Sequence, residues 1–147
     1  MVTATGRGFS VIELLAALSI LGILTAIALP AWNKLLPAFD LSSSARLVHS
    51  ELQAIRIRSA VENTSLRIAY AAGGTNIGVQ RDSSTLVFKP LPGGVSIATA
   101  GSISFSPRGT ASGNRVRLVG RHGACQQVVV SATGRVRTCK AVCGSDC

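Results

Sequence analysis

From Leu14 to Asn33 the chain carries no charged side chain. At 1.5 Å of rise per residue, about 20 apolar residues in a helix cross a hydrocarbon layer of roughly 30 Å, so this stretch reads as a membrane span. Glu13 stands directly before it. A carboxylate at the head of a membrane helix costs a few kcal/mol on insertion scales and is a functional candidate by default. Its ordinary alternative is a first-turn acid held by the helix dipole. Any domain beyond the span must be small, because only 84 residues remain from Thr64 onward. That is near the size at which a core alone is marginal and cross-links help.

The apolar run coexists with a basic balance. The 147 residues are 47% hydrophobic and only 14% charged, yet the net charge is +9. Twelve of the 15 cations are arginine, whose planar fork suits phosphate and carboxylate. From Ser104 onward seven cations (Arg108, Arg115, Arg117, Arg121, Arg135, Arg137, Lys140) face one acid, Asp146, leaving +6 in the C-terminal third. All four cysteines, Cys125, Cys139, Cys143 and Cys147, lie there too. Export by the apolar segment makes disulfides the default for them.

Beyond Pro30 the pattern becomes amphipathic. Leu41, Ala45, Val48, Leu52 and Ile55 recur at three- and four-residue spacing, one stripe facing a core. Arg46, His49, Glu51, Gln53 and Arg56 fall between them and point outward. Asn63-Thr64 offers a stop, so the expected helix runs from Phe9 to Glu62, kinked at Pro30 and Pro37. After Thr64, β-type runs between Gly, Ser and Pro clusters predict strands at Leu66–Tyr70, Thr85–Lys89, Val95–Ala98, Ser102–Phe105, Arg115–Val119, Gln126–Ser131 and Arg135–Cys139. The stretches Ala72–Gly78 and Pro107–Asn114 read as glycine-rich loops. Arg115, Arg117, Arg135 and Arg137 alternate with Val116, Leu118 and Val136, as in an antiparallel sheet with one solvated face. The expected fold class is α+β, a long N-terminal helix packed against an antiparallel sheet.

Gly8-Phe9-Ser10-Val11-Ile12-Glu13-Leu14-Leu15 resembles the class III signal of type IV pilins and pseudopilins. The resemblance implies a type IV pilin fold and cleavage by a prepilin peptidase after Gly8, with methylation of the new N-terminal Phe9. It also implies that Glu13 neutralises the N-terminal amine of a neighbouring pilin during assembly. Gly22 and Pro30 fall where pilins carry helix-weakening residues. Residues 1–8 are then a leader peptide, 9–36 the transmembrane and filament-core helix, and 37–147 a head made of the amphipathic helix 37–63 and the sheet region 64–147. Ile103-Ser104-Phe105-Ser106-Pro107-Arg108-Gly109, Val128-Val129-Val130-Ser131 and Gly134-Arg135-Val136-Arg137 are similar to the head of the GspH/FimT group, which holds type II secretion pseudopilins and minor pilins. The implied location is the bacterial inner membrane, single-pass with a periplasmic head, and then the pilus surface. The implied partners are the other major and minor pilins.

Gly134-Arg135-Val136-Arg137 is the sharpest local feature. Residues i and i+2 of a strand share a face about 7 Å apart, within reach of neighbouring phosphates. Gly134 permits the turn that presents them, and Arg115, Arg117, Arg121 and Lys140 lie in the same third. The ordinary alternative is an edge strand protected by charge. The quartet also resembles the GRxR element of the DNA-binding minor pilins of natural transformation, which implies double-stranded DNA as a partner. Tyr70, Phe88 and Phe105 are the aromatic residues after Thr64, and the last two look like core. Contact is therefore expected to be with the phosphate backbone rather than by base stacking. The competing reading from the same group is a structural subunit that primes a pilus or secretion filament, with the arginines only solubilising its surface.

A Cys125–Cys139 bond would close a 15-residue loop and contribute ~3 kcal/mol. Cys143 and Cys147 would then pair, although four cysteines allow three connectivities. The rival is a zinc site of His122, Cys125, Cys139 and Cys143, which lacks a paired CxxC. The sequence implies no cofactor and no enzyme: beyond Thr64 there are two acids, Asp82 and Asp146, and one histidine, His122. No carboxylate pair or nucleophile–base set arises from these.

Overall fold

The computed structural model describes residues 10–80 and 86–140. The chain divides into two compact units, Met1–Leu35 and Leu36–Cys147. Helix α1, Val11–Val61, contributes to both and continues through positions 30 and 37. Within the first unit its segment Val11–Ala28 is long and apolar enough to cross a membrane by length and composition. Ser19 and Thr25 each donate to a carbonyl one turn back, so their hydroxyls are satisfied within the helix. The helix stops where expected: Asn63 adopts a left-handed φ of 48° and the Thr64 amide donates back to the Ser59 carbonyl.

In the second unit the helix stripe is buried as its spacing predicts. Leu41, Ala45, Val48, Leu52 and Ile55 are 0 to 6% exposed. Among the described residues eight strands cover it: β1 Leu66–Tyr70, β2 Asn76–Gln80, β3 Leu86–Pro90, β4 Ser96–Ile97, β5 Gly101–Phe105, β6 Asn114–Val119, β7 Cys125–Val130 and β8 Val136–Cys139. They form two four-stranded antiparallel sheets, in the orders β3-β2-β1-β5 and β4-β6-β7-β8. One sheet was expected. The two meet where the Tyr70 hydroxyl, on β1, donates to the Arg115 carbonyl of β6 at 3.0 Å. Burial pushes the Tyr70 pKa above its ordinary value, which keeps the phenol protonated as a donor. Leu66, Ile68, Ile77, Ile103 and Phe105 of the first sheet join Ile97, Val116, Leu118, Val128 and Val130 of the second in one core with the helix stripe.

Strand β2 overlaps the stretch expected to be a loop. Asn76-Ile77-Gly78-Val79-Gln80 is masked by its glycine, which weakens a strand by itself. The fold uses that glycine. A Cβ at Gly78 would lie 3.2 Å from the Phe88 ring and 3.4 Å from the Ala69 carbonyl, so the missing side chain lets Phe88 of edge strand β3 lie across it. Phe88 is accordingly 64% exposed, a correction to its reading as core, whereas Phe105 is fully buried. Replacing Phe105 by Ala should cost ~3–5 kcal/mol of stability, while Phe88→Ala should cost less than ~1 kcal/mol. Urea unfolding of the detergent-solubilised chain checks the contrast, and equal losses would contradict this packing.

Candidate nucleic-acid interface

The arginine-bearing strands of the second sheet lie side by side in a fixed register. Arg115 pairs with Val129 and Val129 with Arg137, so one row crosses β6, β7 and β8 with a guanidinium at each end. At a strand spacing near 4.8 Å, the two backbones stand about 10 Å apart. The next row is Arg117, Gln127 and Cys139. Their neighbours Val116, Leu118, Val128, Val130 and Val136 are 0 to 8% exposed and face the core, which puts these rows on the opposite face.

That face is less open than alternation suggests. Gln127 is completely buried, and Arg115 and Arg117 are half-buried and engaged within the protein. Arg135 and Arg137 differ in being exposed, and no ion pair holds either among the described residues. Arg135 lies just before β8 rather than within it. The ladder nevertheless continues: the Ser131 amide donates to the Arg135 carbonyl at 3.0 Å and the Arg135 amide donates to Ser131 Oγ at 3.2 Å. Arg135 and Arg137 therefore keep the i, i+2 relation of extended chain, about 7 Å apart on one face.

Gly134 fixes where this pair stands. Its φ is +76°, a conformation that a side chain strains. Space forbids a side chain as well, since a Cβ would fall 2.0 Å from the Gly109 carbonyl oxygen and 3.3 Å from Arg56 Nε. The β7–β8 turn is thus seated on the loop after β5. The Ala111 amide donates to the Ala132 carbonyl at 3.0 Å and secures the same contact. The quartet is presented by a docked turn rather than a free one.

The remaining cations divide by position. Arg121 is exposed in the short turn Arg121–Gly123 that joins β6 to β7. It lies at the far end of that hairpin from Arg135, because β6 and β7 pair from Val119–Cys125 to Asn114–Val130. Lys140, exposed after β8, lies toward the Arg121 end, since Cys139 is opposite Gln127. The expected constellation therefore does not form one cluster. Two arginines absent from it, Arg56 and Arg108, lie beside the Gly109–Gly134 contact instead, lining a shallow cleft. Helical spacing puts Arg56 on the outer face and says nothing of a neighbour across the fold, and charge counting gives Arg108 no place. The Pro107-Arg108-Gly109 turn is the one local signal for this cleft.

Cys125 and Cys139 are both disulfide-bonded. Cys143 and Cys147 lie outside the described residues, as do Gly8 and Phe9. Among the described residues no group of three His, Cys, Asp or Glu side chains is arranged to hold a metal ion. Glu13 is exposed in the first turn of α1, where the Glu13 amide donates to the Ser10 carbonyl.

A long N-terminal helix whose amphipathic part is covered by antiparallel sheets defines a type IV pilin fold. Residues 44–134 match the family described as type II transport protein GspH, and residues 5–29 match the prokaryotic N-terminal methylation motif. The first match spans more than half of the chain, which belongs to the GspH family of type IV pilin-like proteins. The fold is similar to crystal structures of the Pseudomonas aeruginosa PAO1 type IV minor pilin FimU in two crystal forms. One shares 16% identity at a TM-score of 0.51, covering 67% of this chain and 91% of that one. The other shares 17% identity at a TM-score of 0.51, covering 68% and 88%. No curated protein sequence matches the chain.

Gly134→Ala should displace the turn and lower stability by about 1–3 kcal/mol, the range for a strained backbone site. Thermal unfolding followed by circular dichroism measures it, and an unchanged midpoint would mean that the turn is not seated on Gly109.

Proposed function

We propose that this chain is a minor pilin of a type IV pilus that binds extracellular double-stranded DNA for uptake in natural transformation. One observation carries the reading: Arg135 and Arg137 are exposed, free of described ion pairs, and held about 7 Å apart on a turn fixed by Gly134. Two such guanidiniums on a rigid element suit successive phosphates, a sequence-independent and salt-sensitive contact. The quartet's likeness to the GRxR element of FimT supports it. Phe88, although exposed, lies on the outermost strand of the other sheet, so it gives Arg135 and Arg137 no stacking platform. The function is non-enzymatic.

The same reading gives the remaining residues their roles. Prepilin peptidase cuts after Gly8 and methylates Phe9, the apolar helix holds the chain in the inner membrane with its head in the periplasm, and Glu13 meets the N-terminal amine of a neighbouring pilin on assembly. The cysteines keep the arginine strand in register. Mass spectrometry of the purified chain should give a mature protein beginning at methylated Phe9, whereas a Gly8→Val variant should retain its leader. Equal masses for the two would contradict processing at this site.

A FimU- or GspH-like structural subunit without DNA contact is the second reading. The half-burial of Arg115 and Arg117 favours it, as does the edge position of β8, where exposed cations also deter strand pairing. A gel shift with duplex DNA separates the two. The full chain in non-ionic detergent should retard duplex at low salt with micromolar-class affinity and lose it steeply as salt rises. Arg135→Gln with Arg137→Gln should abolish the shift and leave the unfolding midpoint in place. Retention of the shift by that variant, or its absence from the wild type, would overturn the DNA reading.

A further inference from the structure

The cleft beside the Gly109–Gly134 contact is mainly apolar but holds two arginines in its lining. It measures about 360 Å³ and is lined by Gln53, Arg56, Ile57, Arg108 and Gly109 among others, with no acid in its lining. Helix and loop are tied together beneath it, because the buried Ser59 hydroxyl donates to the Ser106 carbonyl at 3.3 Å. Arg56 is half-buried; its Nε stands 3.3 Å from the Cβ position of Gly134 and 3.9 Å from that of Gly109. No ion pair reaches Arg56 or Arg108 among the described residues. The cleft on the other side of the helix is different: Glu51 and Lys89 line it and pair with each other. Two uncompensated guanidiniums, one partly withdrawn from water, make a local positive potential that an anion would relieve.

We propose that this cleft is a second phosphate site, which takes the backbone of the same duplex that Arg135 and Arg137 engage. The proposal rests on the DNA reading above and extends it to residues outside the GRxR quartet. The geometry supplies the continuity. Arg135 is the residue after Gly134, and Arg56 Nε stands 3.3 Å from the Cβ position of Gly134, so the cleft with Arg56 and Arg108 adjoins the turn that carries the strand arginines. A DNA strand offers one phosphate per 3.4 Å of helix axis, so one duplex has phosphates for both places. The exposed Ile57 and Val61 beside it meet the deoxyribose between phosphates, the apolar part of that backbone. Gly134 then has a second consequence, since it brings the strand arginines and the helix arginine onto one ligand.

The test is the salt dependence of duplex binding by the full chain in detergent. Each phosphate contact contributes a slope of about 0.9 in log K against log salt. Arg108→Gln should lower the slope by about one contact, and Arg56→Gln with Arg108→Gln by about two, weakening binding on the order of tenfold at moderate salt. Arg108→Lys should keep the wild-type slope. Arg108 is exposed, so its single variant decides the question even if loss of Arg56 disturbs the fold. Wild-type slope and affinity in Arg108→Gln, alongside lost binding in the Arg135/Arg137 variant, would overturn the second site and leave the DNA reading standing. No binding by the wild type would overturn both.

Discussion

The structure of the second unit depends on one stripe of one helix. Leu41, Ala45, Val48, Leu52 and Ile55 are the residues that both sheets bury. Each sheet has four short strands and one apolar face, and a sheet of that size needs a covering element to be stable. The helix covers both at once and so merges them into one core. Polar ties along its length set the register of the layers: Ser44 donates to the Pro92 carbonyl, Glu51 pairs with Lys89 of β3, and Ser59 donates to the Ser106 carbonyl. These ties run from the start of the stripe to its end, and each links the helix to a different loop or strand.

The position of the basic side chains is set by that register. Ile55 faces the core, so Arg56, about 100° round the helix, emerges at its border, and Ser59 one turn after Ile55 returns inward. Ser59 holds the loop at Ser106, that loop carries Gly109, and Gly109 receives Gly134 with no room for a side chain. A chain of backbone contacts thus connects an apolar stripe to the presentation of Arg135 and Arg137. The glycine matters less for flexibility than for proximity: it lets two loops and a helix share one small volume.

Much of this was legible in the sequence because the signals were local and periodic. The helix stripe appeared residue for residue, its end at Asn63 likewise, and six of the seven expected strands overlap observed strands within two residues at either end; the seventh, Thr85–Lys89, overlaps β3 at Leu86–Lys89. The methylation motif and the GspH match confirm what Gly8 to Leu15 and the C-terminal strands implied about family. The features that escaped sequence reading are relational. Strand β2 hid behind Gly78, whose purpose is visible only with Phe88 across it. The division into two sheets depends on which edges pair, and nothing in the strands' composition states that. Arg56 and Gly134 are 78 positions apart, and only the fold makes them neighbours.

Counting charge and locating contact are different operations, and the C-terminal third separates them. Its +6 comes from seven cations and one acid, a sum that treats all seven alike. In the structure Arg115 and Arg117 are engaged and half-buried, Arg121 and Lys140 lie toward one end of the sheet, and Arg135 and Arg137 are exposed at the other. Net charge acts at a distance, raising the rate of encounter with a polyanion, and this contribution does not require exposure of each group. Contact requires an accessible fork at a set spacing. Arg115 and Arg117, engaged within the protein, therefore add to the long-range field rather than to contact, and only accessible guanidiniums would count in the salt slope of a phosphate contact.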